Sequence, residues 1–261
     1  MVVENIDTKD ISVVVQGAID KKYTANCLKS IRKYLPDSEI ILSTWEGSNV
    51  DGLDYDILVL NEDPGGIKCI PFNYIVNTNR QLVSTKNGIL KSSKEYILKL
   101  RTDCLLLNNN FLKYFDKFPN RNKKYIGFQN KIIVSSVYAR EYSNYTGLTI
   151  PFHPSDIYYF GKAEDLKDYI IDTNFILKQH IELYYLKYNN LLPYRNEAVS
   201  LYPEHHFCIS WIKRKFKNIY FKDLSDINYY DYKESLNILY NNFIFLDLEQ
   251  SGITNPKHSW A

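Results

Sequence analysis

The sequence predicts an α/β fold with a mostly parallel central sheet flanked by helices. Three observations predict it. Short β-branched runs stop at polar or glycine-bearing turns, and stretches with helical apolar spacing lie between them. The order β-α-β-β-α-β runs unbroken to Asp103. The chain has 261 residues, 45% of them hydrophobic, which sits near the upper end of one domain and allows a sizeable core.

Ile11 to Gln16 (ISVVVQ) reads as a buried strand that stops at Gly17. Thr24 is placed to cap a helix in which Cys27, Leu28, Ile31 and Leu35 recur at helical spacing, and Pro36 ends it. Glu39 to Thr44 is the second strand and Asp56 to Leu60 the third, stopped by Asn61-Glu62-Asp63-Pro64-Gly65-Gly66. Asn73 to about Ser92 is helical. Tyr96 to Leu100 is the fourth strand and ends in Arg101-Thr102-Asp103. The second half is expected to hold strands within Tyr125 to Val137 and at Ile157 to Phe160, then a long helix from Ala163 to Tyr188. A further helix is expected at Glu204 to Lys217, with late strands at Ile219 to Lys222 and Asn242 to Leu248. No Gly/Ser/Pro-rich boundary divides the chain, so one domain is expected. Its nucleotide-binding half spans about 11–104 and its acceptor-side half about 105–261.

Composition excludes several classes. Lys and Arg total 32 against 30 Asp and Glu, a net charge of +2, which gives no electrostatic case for nucleic acid. Cys27, Cys69, Cys104 and Cys208 form no CxxC pair, so a zinc site is unsupported and a reducing compartment is the simplest reading. Met1 to Asp10 lacks the apolar core of a signal peptide, and no apolar run reaches the ~20 residues of a membrane span. Asn144-Tyr145-Thr146 matches a glycosylation acceptor, which carries no weight without secretion. The 23 tyrosines and 13 phenylalanines suit stacking on sugars and bases, but are first of all core material.

In open α/β sheets, ligands bind beyond the carboxyl ends of the strands. The residues there are Gln16 and Gly17 after the first strand, then Thr44, Trp45 and Glu46 after the second. Glu62 and Asp63 follow the third, and Arg101 and Asp103 the fourth. Turn propensity accounts for Gly17 and Gly47, but not for Trp45 or Arg101. If the fourth strand stays extended, Lys99, Arg101 and Asp103 share one face. Two cations and a carboxylate there suit a diphosphate, with Asp103 as a ligand for a bridging divalent ion; a structural salt bridge is the bland alternative. Asn79 and Arg80 on the preceding helix add groups that an apolar stripe does not require.

Several of these stretches, taken together, resemble the WavE-type lipopolysaccharide-synthesis glycosyltransferases, a family placed with the GT-A fold. They are Val13-Val14-Val15-Gln16-Gly17, Ser30 to Pro36, Ile40 to Gly47, Glu62-Asp63-Pro64-Gly65, Asn79-Arg80-Gln81 and Lys99-Leu100-Arg101-Thr102-Asp103. Ser155-Asp156 and Pro203-Glu204 follow as later landmarks. The resemblance implies a single GT-A-like domain that moves a sugar from a nucleotide-sugar donor to a saccharide or lipid-linked saccharide acceptor. That transfer belongs to lipopolysaccharide or capsule assembly, in the cytoplasm and at the inner face of the membrane. It also implies that Gln16, Gly17, Thr44, Trp45, Glu46, Arg80, Lys99, Arg101 and Asp103 bind the donor.

GT-A enzymes usually hold a metal through a DxD motif after the fourth strand. Here Arg101 stands at the first acid and only Asp103 remains, so Mn²⁺ or Mg²⁺ at Asp103 is an expectation that the departure weakens. An arginine neutralises phosphate directly. Inverting transfer needs a general base. Glu204, after Pro203 at the start of a helix, is the first candidate, with a first-turn acid on the helix dipole as its bland reading. Asp156 in His153-Pro154-Ser155-Asp156 is the second. His205 and His206 follow Glu204, and Lys257, His258 and Trp260 lie in a polar tail that is either a lid or a frayed end. Retention or inversion stays open. A sugar-1-phosphate nucleotidyltransferase would carry a Gly-rich basic loop where Gln16-Gly17-Ala18-Ile19-Asp20 stands. A non-catalytic carbohydrate-binding protein would leave Arg101, Asp103 and Glu204 unexplained as a set. No GxGxxG supports an oxidoreductase.

Overall fold

Ile11–Gln16 forms β1, and all six residues are buried, as expected of a central strand covered on both faces. The structure, a computed structural model, describes residues 6–69, 74–141, 151–178, 202–217 and 229–257. β1 pairs in parallel with β2 (Glu39–Trp45) on one side and β6 (Tyr96–Arg101) on the other, and β2 pairs in parallel with β3 (Ile57–Asn61). Beyond β6 lie β9 (Tyr158–Lys162), β8 (Ile132–Ser135) and β10 (Phe243–Leu246). The seven-stranded order is β10-β8-β9-β6-β1-β2-β3. Only β9 runs against its neighbours, so the sheet is mostly parallel.

Alternation along the strands assigns the two faces. Val13, Val15, Leu98 and Leu100 pack towards α1 (Thr24–Tyr34) with Cys27, Leu28 and Ile31. Val14, Ile41 and Ile97 pack towards the opposite layer. That layer holds α2 (Thr78–Lys91), α3 (Ala163–Ile170), α4 (Pro203–Lys215) and α5 (Tyr229–Asn242). Gly88 lets α2 lie close to the sheet: a Cβ there would sit 2.4 Å from Val14 Cγ1 and 3.1 Å from Ser43 Cβ. Trp211 anchors α4, stacked on Phe128 with centroids 4.1 Å apart. Among the described residues no helix is long and apolar enough to cross a membrane.

Several expectations need correction. Thr24 does not cap α1: its hydroxyl accepts from the Asp20 amide at 2.9 Å, and Asp20 turns the chain into the helix by accepting from the Lys22 and Tyr23 amides. The start of the helix expected from Asn73 is instead β5 (Tyr74–Val76), paired antiparallel with β4 (Ile67–Cys69). Within Tyr125 to Val137 only β8 is strand. The long helix from Ala163 ends at Ile170. Asn79 clamps the backbone that follows, donating to Ile176 O at 2.7 Å and accepting from Ile176 N at 2.8 Å, which holds that stretch against α2. Helix α5 was not foreseen. The end of the expected 163–188 helix, the strand at 219–222, the Asn144 acceptor, His258 and Trp260 all lie outside the described residues.

A small pairing at the sheet's carboxyl edge matters for the site. β7 (Leu105–Leu106) pairs antiparallel with β11 (Ile253–Thr254), just after the short helix α6 (Leu248–Ser251). Gly252, at φ +68°, makes the turn between them, and a Cβ there would lie 1.9 Å from Asn108 Oδ1. This pairing carries Asn255 and Lys257 back to the ends of β1 and β6.

Candidate active site

A cleft of about 690 Å³ opens at the carboxyl ends of β1, β2 and β6, where an open α/β sheet offers its ligand site. Gln16 and Gly17 form its floor, and Trp45, Arg80, Arg101 and Asp103 line it. Six of the residues expected from sequence therefore meet in one place. Gly17 leaves the sheet at φ +121°, a conformation that side chains rarely adopt, and its amide donates to Ser43 O at 3.0 Å. Gln16 is held by Ser84 on α2, whose hydroxyl donates to Gln16 Oε1 at 2.6 Å.

β6 stops at Arg101, so Asp103 does not continue an extended face as expected. A turn at Thr102 and Asp103 instead folds the carboxylate onto the guanidinium. Arg101 Nε donates to Asp103 Oδ1 at 3.0 Å and Nη2 to Oδ2 at 2.8 Å. Burial works against the Arg101 charge, but the hydrogen bonds from Asp103 outweigh it and raise its pKa. Asn255 Nδ2 also donates to Asp103 Oδ1, at 3.0 Å.

Sequence reasoning named Asp63 at its strand end but not its pairing with Arg80, and gave Asp20 no role in the lining. Asp63 accepts a fork from Arg80, Nε to Oδ1 at 2.8 Å and Nη2 to Oδ2 at 2.7 Å, which lowers the carboxyl's pKa. Lys257, from the tail, lies 3.4 Å from Asp20 Oδ2. The cleft thus presents three cations, Arg80, Arg101 and Lys257, each facing its own carboxylate. Asp63 was legible as a strand-end residue. Lys257 was named as part of a tail that is either a lid or a frayed end, but its contact with Asp20, 237 residues away, had no local signal.

Thr44, Glu46, Lys99, Asp156 and Glu204 do not line this cleft. Thr44 is buried with its hydroxyl 3.3 Å from Ser48, and Glu46 is exposed on the turn after β2. Lys99, Asp156 and Glu204 form a second group behind the cleft. Lys99 is fully buried, with Nζ donating to the Asp156 carbonyl and lying 4.9 Å from the Tyr159 ring centroid. Burial lowers its pKa to about 8. Gln81 bridges the groups: it lines the cleft and its amide donates to Asp156 Oδ2. Glu204, in the first turn of α4, has its Oε2 buried with no hydrogen-bond partner among the described residues. Burial first, then the charge of Asp156, raises its pKa well above the usual carboxyl range, which favours its protonated form. His205 is buried beside this pair, its ring 5.8 Å from that of His153, while His206 Nε2 lies 2.7 Å from Asn174 O.

Lys99→Met tests how Lys99 holds the second group together. A lysine whose folded pKa lies below its unfolded value costs stability below about pH 8, a cost recovered as pH rises towards 10.5. The variant is expected to gain about 1–3 kcal/mol at pH 7 while losing the hydrogen bond that holds Asp156. Denaturant unfolding and an activity assay read the two effects, and a destabilised variant would show that the ammonium is a net stabiliser.

A divalent ion at Asp103 was an expectation, and the donor set does not fit one. Both oxygens of Asp103 already accept N–H bonds, and a cation there would sit against a guanidinium. Among the described residues no group of three or more His, Cys, Asp and Glu comes together to hold a metal.

A family model described as WavE lipopolysaccharide synthesis matches residues 11–261, nearly the whole chain. No curated protein gives a match.

Proposed function

This chain belongs to the WavE lipopolysaccharide-synthesis family, and from that premise we propose that it is an inverting, sugar-nucleotide-dependent glycosyltransferase acting as one domain. One observation carries the reading: Arg80, Arg101 and Lys257 converge on a single cleft at the strand ends, the chemistry that a nucleoside diphosphate requires. Trp45 offers an aromatic face in the same cleft for the base or the sugar. The acceptor is a saccharide or lipid-linked saccharide of lipopolysaccharide or capsule, met in the cytoplasm at the inner face of the membrane.

In the reaction the acceptor hydroxyl oxygen attacks the anomeric carbon. The bond from that carbon to the donor's phosphate oxygen breaks, and its electron pair leaves on the nucleoside diphosphate. Arg101 and Arg80 stabilise the negative charge that grows there. The hydroxyl proton passes to the Asp156 and Glu204 pair. Burial favours the protonated form of Glu204, so the role of base is assigned to Asp156, whose Oδ2 accepts from Gln81, with Glu204 as its partner. This reverses the order in which the sequence ranked the two acids.

A thermal-shift screen of UDP, GDP, CDP, dTDP and CMP tests the reading. A nucleotide at about 100 times its Kd is expected to raise the midpoint by about 5–10 °C. A shift with one nucleotide identifies the donor's base. No shift with any of them sinks the reading in favour of a non-catalytic carbohydrate-binding protein.

A further inference from the structure

We propose that the cleft holds its nucleoside diphosphate through arginine and lysine N–H groups alone, with no divalent ion between the protein and the phosphates. The inference rests on the transferase reading above and says how that site binds its donor. Three observations carry it.

First, the carboxylates are committed. Asp103, the residue with the strongest claim to a metal, has a side chain only 6% exposed, and its two oxygens accept from Arg101 Nε, Arg101 Nη2 and Asn255 Nδ2. Asp63 Oδ1 accepts from the Gly65 amide as well as from Arg80. Asp20 Oδ1 accepts from the Lys22 and Tyr23 amides, with Lys257 on Oδ2. A divalent cation at any of the three would face the positive charge of the arginine or lysine already paired there. Asp20 and Asp63 are also partly exposed, so water screens their charge from a phosphate nearby.

Second, the cations keep donors in reserve. A guanidinium has five N–H groups. Arg101 spends two on Asp103, leaving three. Arg80 spends two on Asp63 and one on Asn77, leaving two. Both side chains line the cleft, and their bound carboxylates hold the planar forks in place before a ligand arrives. Lys257 adds an ammonium held by one long contact of 3.4 Å.

Third, Arg101 is braced through Asp103, which Asn255 locks in turn beside the β7–β11 pairing. A guanidinium is therefore fixed at the strand end, where a metal would otherwise bind.

Calorimetric titration of UDP, GDP, CDP and dTDP into the wild-type protein tests this, once in EDTA and once in millimolar Mn²⁺. Affinity for the nucleotide that binds is expected to agree within about threefold between the two buffers. Arg101→Gln is expected to lose at least about tenfold in affinity, and Mn²⁺ is not expected to restore it. A gain of tenfold or more from Mn²⁺ in the wild type overturns the inference and leaves the transferase reading standing. An Arg101→Gln variant that binds as tightly as wild type also overturns it. Binding of no diphosphate in either buffer overturns both readings. The wild-type comparison needs no variant, so it decides even if Arg101→Gln fails to fold.

Discussion

Asp156→Asn is expected to cut turnover by about 10²–10⁴-fold with little change in donor affinity, while Glu204→Gln costs about tenfold or less. Asparagine keeps the shape of Asp156 but cannot take a proton from the acceptor. Glutamine keeps the shape of Glu204 and the neutral form that burial and the charge of Asp156 favour. The pair also sets a pH dependence. A carboxyl whose folded pKa is raised binds its proton more tightly in the folded state. Glu204's contribution to stability is therefore full below its ordinary value of 4.5 and is lost as pH rises towards the raised value. Glu204→Gln is expected to flatten this slope, raising stability near pH 8 relative to wild type. Steady-state kinetics and denaturant unfolding at about pH 5 and about pH 8 read both effects. A larger loss of turnover in Glu204→Gln than in Asp156→Asn would make Glu204 the base.

Trp211→Ala is expected to destabilise the protein by about 3–5 kcal/mol, a fall of about 6–20 °C in Tm. The indole is fully buried, stacked on Phe128, with Phe216, Phe243 and Tyr169 presenting edges to it at 5.7, 6.0 and 6.1 Å. Gly127 lies against the ring, since a Cβ there would come within 2.4 Å of Cζ2. Truncation removes a large apolar surface from a place where the sheet and three helices leave little room to collapse. Trp211 is on the same helix as Glu204, so a loss of activity should accompany the loss of stability. Thermal unfolding followed by circular dichroism reads the effect, and a loss below about 1 kcal/mol would mean that the cluster is not what anchors this helix.

Much of the first half was legible in the chain. Strands buried on both faces leave unbroken β-branched runs, and Ile11 to Gln16 and Tyr96 to Leu100 are such runs. A strand's end says where a ligand can sit, which is why Gln16, Gly17, Trp45, Arg101 and Asp103 were found together. The family also followed from these stretches, and the match over residues 11–261 agrees. The second half was harder. Helix α5 has a weakly sided pattern, and the turn at Ile170 depends on Asn79, which lies 97 residues from the Ile176 it clamps.

The sequence by itself determined the family, the mostly parallel sheet and the residue types at its carboxyl rim. Each of these rests on local periodicity or on a short stretch of chain. Only the tertiary structure decided which charges meet. Pairing of β7 with β11 brings Asn255 to Asp103 across 152 residues and sets Lys257 beside Asp20. Burial of Lys99 and Glu204 around Asp156 likewise separates the acids into a cleft residue paired with arginine and a buried pair away from it. Pairing partners and solvent exposure set the charge state of an acid, and both arise from contacts between residues far apart in the chain.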